Sequence, residues 1–238
     1  MLKGVEKMEN EIKEMNAKLN EVEKLVAQKN YGPAKEILLA YAEKAEADCQ
    51  ETETTKYYSF RNMMEFFCAV AKLKQTKTIN WTAYQLSWVY NMLSYIAIEE
   101  KRYVKSREYS IKAISYNPLD PGLYFEKAES YKLENDFENM FKSTMEVYEI
   151  LYSSKELARF YRNLGFYFIE VGKLDIAFAL YVVSLNFELN KMAFNEIEYI
   201  RHQLQNPNYK LTTEQVLNIL QENNIPFGIK EENKNTLL

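Results

Sequence analysis

The chain has 238 residues, 47% of them apolar and 27% charged, with only 6 Gly and 5 Pro. That composition fits a folded helical protein and argues against disorder. A formal charge of −4 gives no long-range attraction for phosphate backbones, which sets nucleic acid aside as the main partner. Cys49 and Cys68 are too few for a disulfide framework and lack metal-ligand spacing, so both read as reduced packing residues. The longest apolar run, Ile176 to Val183, falls far short of the roughly 20 residues that span a bilayer, and the first residues have no signal-peptide core. The expectation is a cytoplasmic protein without a membrane partner.

Taken in order, Val5, Met8, Ile12, Met15, Leu19, Val22 and Val26 form a heptad seam in a first helix rich in Glu and Lys. Two readings follow. One is a homodimer through residues 5–26; the other is an amphipathic helix whose seam packs on the chain's own second and third helices. The second is favoured, because three heptads barely reach coiled-coil length. Asn30-Tyr31-Gly32-Pro33 closes this helix and opens another, running to about Asp48, with Pro33 in its first turn. A polar stretch, Gln50 to Thr55, then leads into a third helix ending near Lys74, with Tyr58, Met64, Phe67, Cys68 and Ala71 on its buried face. Thr76 to Asn80 reads as a turn, and the Asn80-Trp81-Thr82 sequon as a helix start.

Beyond Trp81 a unit recurs. Tyr161, Leu164, Gly165 and Phe168 are followed by Ala177 and Tyr181; Tyr90, Leu93, Ser94 and Ala97 by Ser106 and Ser110; Tyr124, Lys127, Ala128 and Tyr131 by Met140 and Thr144. In each unit the paired positions (94 and 106, 128 and 140, 165 and 177) are separated by the same 12 residues. Small residues such as Gly165 and Ala177 let two antiparallel helices approach, and the aromatics fill the space beside them. This pattern resembles the tetratricopeptide repeat.

The resemblance implies an all-α fold, a right-handed superhelical solenoid of antiparallel helix pairs with about 10–11 helices. It is read as one domain: degenerate helices over 1–80, three repeats over 81–189, capping helices over 190–228 and a tail over 229–238. Boundary residues agree: Asp120 before Pro121, Asn135-Asp136, Gly172 and Asn190 punctuate the units. Thr212 with Gln215 makes a capping-box signature for a helix from Thr213 to Glu222. Lys191 to Gln205 reads as a further helix, and Lys230 to Asn235 as a solvated tail.

No constellation points to catalysis. With His202 as the one histidine, no two-histidine mechanism or zinc site can be built, and a Cys/His pair would need residues far apart in sequence. There is no phosphate-cradling glycine motif, and Glu99-Glu100, Glu196 with Glu198, and Glu231-Glu232 read as solvated charge. The chain is therefore expected to be no enzyme, and to need no cofactor or metal.

In the tetratricopeptide family the first helix of each pair lines a groove for an extended or helical peptide. The resemblance implies groove positions at Trp88, Asn91, Met92, Tyr95 and Glu99; at Phe125, Glu126, Glu129 and Lys132; and at Arg159, Arg162, Asn163, Phe166 and Glu170. A mixture of aromatics, amides and both charges suits peptide recognition. The chaperone-tail clamp of some members would fall on Asn91, Tyr95, Glu126, Arg159 and Asn163, where only Arg159 keeps the family's cation and Glu126 would repel a carboxylate. That version is rejected. What the resemblance implies is a non-catalytic scaffold for a protein or peptide partner. The alternatives are an oligomerisation module acting through the heptad helix and a cytoplasmic sensor of a short signalling peptide.

Overall fold

The computed structural model describes residues 2–230, with side chains from residue 10 onward. The Val5 and Met8 side chains, Glu231-Glu232 and the rest of the tail lie outside the described residues. Among those described, eleven α-helices, one 3-10 turn and a two-stranded sheet account for the regular structure. The chain divides into two compact units, residues 1–130 and 131–238.

The first unit begins with α1 (Leu2–Ala27) and α2 (Tyr31–Asp48). Of the heptad seam, Ile12, Leu19 and Val22 are buried, in one cluster with Leu38, Tyr41 and Ala42 of α2 and residues further along the chain. The seam thus packs on its own chain. Asn16 holds the arrangement in register: its side chain accepts from the Tyr41 hydroxyl at 2.6 Å and donates to the Ala83 carbonyl at 3.2 Å.

Where one long third helix is expected over residues 56–74, the chain instead makes β1 (Thr55–Tyr58), α3 (Met63–Lys72) and β2 (Thr78–Trp81), the two strands parallel with Thr55 opposite Thr78. Threonine, tyrosine, isoleucine and tryptophan suit a pleated surface, and pairing of the two strands breaks the helix at both ends. Asn62 then starts α3, its side chain accepting from the Glu65 amide at 3.0 Å. The buried face also differs from expectation. Glu65 and Ala69 point inward, whereas Met64, Phe67 and Ala71 are exposed and Cys68 is half-buried. The cause is Glu65: Arg61 and Asn117 both donate to its carboxylate, Asn117 at 2.7 Å, and Arg61 also pairs with Asp120 at 3.0 Å. A buried carboxylate so satisfied fixes the helix rotation and turns the apolar side outward.

α4 (Leu86–Glu99), α5 (Tyr103–Tyr116) and α6 (Pro121–Leu133) follow, the division between units falling in the last turn of α6. The second unit contains α7 (Phe137–Val147), a 3-10 turn (Tyr148–Ile150), α8 (Ser154–Glu170), α9 (Leu174–Phe187), α10 (Lys191–Gln203) and α11 (Thr213–Glu222). Thr212 with Gln215 forms the expected capping box on α11, and Asn190, expected to close the preceding unit, also caps the start of α10.

The repeat is visible in the backbone. α4/α5, α6/α7 and α8/α9 are joined by turns in which Lys101, Asn135 and Gly172 adopt positive φ, each seven residues after Ser94, Ala128 and Gly165. At each, the next amide bonds back to a carbonyl five residues earlier, the Schellman closure of a helix C-terminus. Lys29 repeats this turn between α1 and α2, seven residues after buried Val22, and Ala34 stands 12 residues beyond Val22. The first helix pair therefore has the spacing of the later three, and the β1–α3–β2 segment is an insertion after it. The close approach inferred at the small residues is also observed. Ser94 lies 2.8 Å from the hydroxyls of both Ser106 and Ser110, and a Cβ on Gly165 would come within 2.8 Å of the Tyr181 ring.

Candidate functional site

On α4 the residues at the margin of the core form one stripe, in which Trp88 and Met92 still pack against the first unit's core cluster. Trp88, Asn91 and Met92 are half-buried, Tyr95 is 37% exposed and Glu99 is exposed, while Leu86, Val89, Leu93 and Ile96 fill the interior. Spacing of three and four residues is what places the five on one face. The stripe ends in a polar cluster that sequence reasoning missed: the Tyr31 hydroxyl donates to Glu99 at 3.1 Å, and Lys35 pairs with Glu100. Partial burial, with the Glu99 carboxylate beside it, pushes the Tyr31 phenol up to about 12, so Tyr31 is a neutral donor at physiological pH.

Near Trp88 lies an open cleft of about 620 Å³, lined by Phe60, Arg61, Trp81, Gln85 and Trp88 among others. Its walls are fixed by Trp81, whose indole N–H donates to the Phe60 carbonyl at 3.1 Å, and by Ser87, which donates to the Ser59 carbonyl at 2.8 Å. On α6, Glu126 and Glu129 are half-buried. Phe125 is 1% exposed, so a position implied to line a groove is buried instead.

In the second unit Arg159, Arg162, Asn163 and Phe166 are half-buried on one face of α8, and Glu170 is exposed. Two of the expected residues meet: the Lys132 ammonium sits 4.4 Å from the centre of the Phe166 ring, and Phe137 meets the same ring edge-on. Arg162 is already engaged, its Nη1 lying 2.8 Å from Glu188 Oε2 with side-chain exposures of 19% and 29%. An acidic ligand at Arg162 would therefore compete with an internal carboxylate. The opposite side of α8 anchors the end of the described chain. The Tyr161 hydroxyl donates to the Pro226 carbonyl at 2.9 Å, and Tyr148 donates to the Gly228 carbonyl at 3.0 Å. Lys230, expected in a solvated tail, pairs with Glu149.

Residues with chemical potential elsewhere have structural surroundings. Cys49 is buried 3.3 Å from the Thr82 hydroxyl, and burial pushes its thiol up, away from the reactive thiolate. His202 is exposed on α10. Among the described residues no group of three His, Cys, Asp or Glu side chains could hold a metal ion, and no helix is long and apolar enough to cross a membrane.

No family model and no curated protein sequence matches the chain. A solved structure, the first TPR of Spaghetti (RPAP3) bound to the HSP90 peptide SRMEEVD, is similar at 20% sequence identity and a TM-score of 0.46, over 51% of this chain and 94% of that one. The all-α helical-repeat fold stands on the recurring helix pairs and turns of the chain itself.

Proposed function

We propose that the chain is a non-catalytic helical-repeat scaffold that binds a protein or peptide through the outward faces of its first helices. One observation carries this reading. In repeat register, positions 88, 91, 92, 95 and 99 of α4 correspond to 159, 162, 163, 166 and 170 of α8, and all ten side chains keep exposure on the side away from the small-residue contact. An aromatic recurs at 95 and 166, flanked by amides, Arg162 and terminal Glu residues. Rigid aromatics and Arg beside adaptable polar groups make up the chemistry of peptide-binding hot spots. A chaperone-type terminal carboxylate is not the ligand proposed, since Glu126 stands where that clamp would need a neutral or basic group. Self-association through residues 5–26 is also not favoured, because Ile12, Leu19 and Val22 are engaged in the first unit's own core.

Replacing Tyr95 or Phe166 by a photo-crosslinking phenylalanine analogue in the full chain tests the reading. Covalent adducts with a common protein partner are expected at both positions and not at Lys142, which lies off the stripe on α7. Adducts at Lys142 alone, or none at either aromatic, would contradict it.

A further inference from the structure

The β1–α3–β2 insertion has an open side, and its geometry specifies what fits there. Parallel pairing consumes alternate backbone groups: the Thr78 amide donates to the Thr54 carbonyl at 2.8 Å and the Thr82 amide to the Tyr58 carbonyl at 2.9 Å. The intervening residues, Ile79 and Trp81, consequently turn their amides and carbonyls away from β1, where they meet no partner among the described residues. The far edge of β1 is closed at its end, since the Ser59 amide donates to the Tyr116 carbonyl at 2.8 Å. Thr55 bonds to Thr52 through both its amide and its carbonyl, which among the described residues leaves Tyr57 alone without a backbone partner on that edge; the longer unpaired edge is that of β2.

α3 covers this sheet asymmetrically. Glu65 faces the β1 side, because it holds Asn117, next to the Tyr116 that closes the β1 edge. Phe66 stacks on Trp81 of β2, with ring centres 5.8 Å apart. Helical geometry then places Met63, Phe67 and Val70 on the flank opposite Glu65, beyond Phe66 and outside β2. Those three side chains are 54%, 58% and 58% exposed. A two-stranded sheet leaves nothing beneath this flank, and a third strand on β2 would lie under it.

Charge narrows the occupant. Between Glu65 and Glu99 the sequence has three lysines, Lys72, Lys74 and Lys77, and no acidic residue, although the whole chain is net negative; Lys77 pairs with Glu51 at 2.7 Å, so an incoming carboxylate there competes with an internal one. All three precede or adjoin β2. Past the end of β2 the edge opens into the cleft of Trp81, Arg61 and Trp88, with room for a side chain of the departing strand.

We infer that the β2 edge is a docking site for an extended segment of another protein, which adds as a third strand. That segment has apolar side chains at alternate positions, covered by Met63, Phe67 and Val70, and carboxylates that meet the lysines at the rim. Backbone hydrogen bonds to Ile79 and Trp81 supply affinity, and the flank and charges supply selectivity. The site meets the stripe on α4 only at Trp88 and needs neither Tyr95 nor Phe166.

The test is selection of a phage-displayed random dodecapeptide library on the immobilised full chain, followed by fluorescence-polarisation titration of the enriched peptides. Enriched sequences should alternate apolar residues and carry acidic flanks. Ile79→Pro removes only an outward-facing amide and should weaken binding at least tenfold. Phe67→Ser combined with Val70→Ser, both well exposed, should do the same with unchanged circular dichroism and decides the matter should the proline variant unfold. Lys74→Glu should weaken the acidic peptides, and Tyr95→Ala with Phe166→Ala should leave them bound. The inference is overturned by enriched peptides that bind the Phe67/Val70 variant as tightly as the native chain, by no enrichment at all, or by concentration-dependent dimerisation that Ile79→Pro abolishes, which would make a second copy the occupant.

Discussion

A methyl group at position 165 would meet the Tyr181 ring at 2.8 Å, so glycine is required there by a neighbouring side chain and not by backbone conformation. Gly165→Ala is expected to cost about 1–3 kcal/mol by forcing the two helices apart, read as a lower denaturation midpoint with an unchanged slope. Glu46 illustrates a different kind of residue. Burial acts to raise its carboxyl, but hydrogen bonds from Lys112, Tyr90 and Tyr116 together outweigh burial and hold it below the usual 4.5. A depressed carboxylate contributes stability that is complete above its unfolded value and is lost as pH falls through the lower folded one. Glu46→Gln should therefore cost about 1 kcal/mol at neutral pH, allowing for solvent screening, and the gap to the native protein should close in acid. A gap that persists in acid would remove the ionised form as its cause.

At the scale of the element, helix ends were legible because their signals are local. Thr212 with Gln215 caps as its sequence position indicates, Asn190 marks a boundary as expected, and Thr212→Ala should lower stability by about 1 kcal/mol in thermal or chemical denaturation. α3 was not legible. Its strands rest on tertiary pairing between residues 23 apart, and its rotation on the hydrogen bonds and ion pair of one buried carboxylate, neither of which leaves a periodic trace. The two orientations have opposite consequences for stability. Glu65→Ala should cost roughly 2–3 kcal/mol by leaving the buried Asn117 amide without its acceptor and Arg61 with only Asp120, whereas Phe67→Ser should stay within about 0.5 kcal/mol. A large loss for Phe67→Ser would restore the buried face first expected from its spacing.

At the scale of the molecule, the repeat was legible where two small residues mark each contact, as at Gly165 and Ala177. It was half-hidden in the first pair, where Ala34 and Leu38 echo the second helix of the later units but Val22 takes the place of a small residue, and the positive-φ turn at Lys29 reveals the same frame. The candidate site was legible in position more than in role. Trp88, Asn91 and Tyr95 share a face of α4, as Arg159, Arg162, Asn163 and Phe166 share one of α8, because the repeat frame sets direction. Phe125 went inward and Arg162 found Glu188, since interior volume and internal ion pairing depend on neighbours distant in sequence. The claim that these faces bind a protein is tested most directly by affinity capture from a native cell lysate, comparing the full chain with a Tyr95→Ala, Phe166→Ala variant of equal helicity. The account expects a partner protein retained by the native chain and depleted at least tenfold by the variant; equal recovery from both would contradict it.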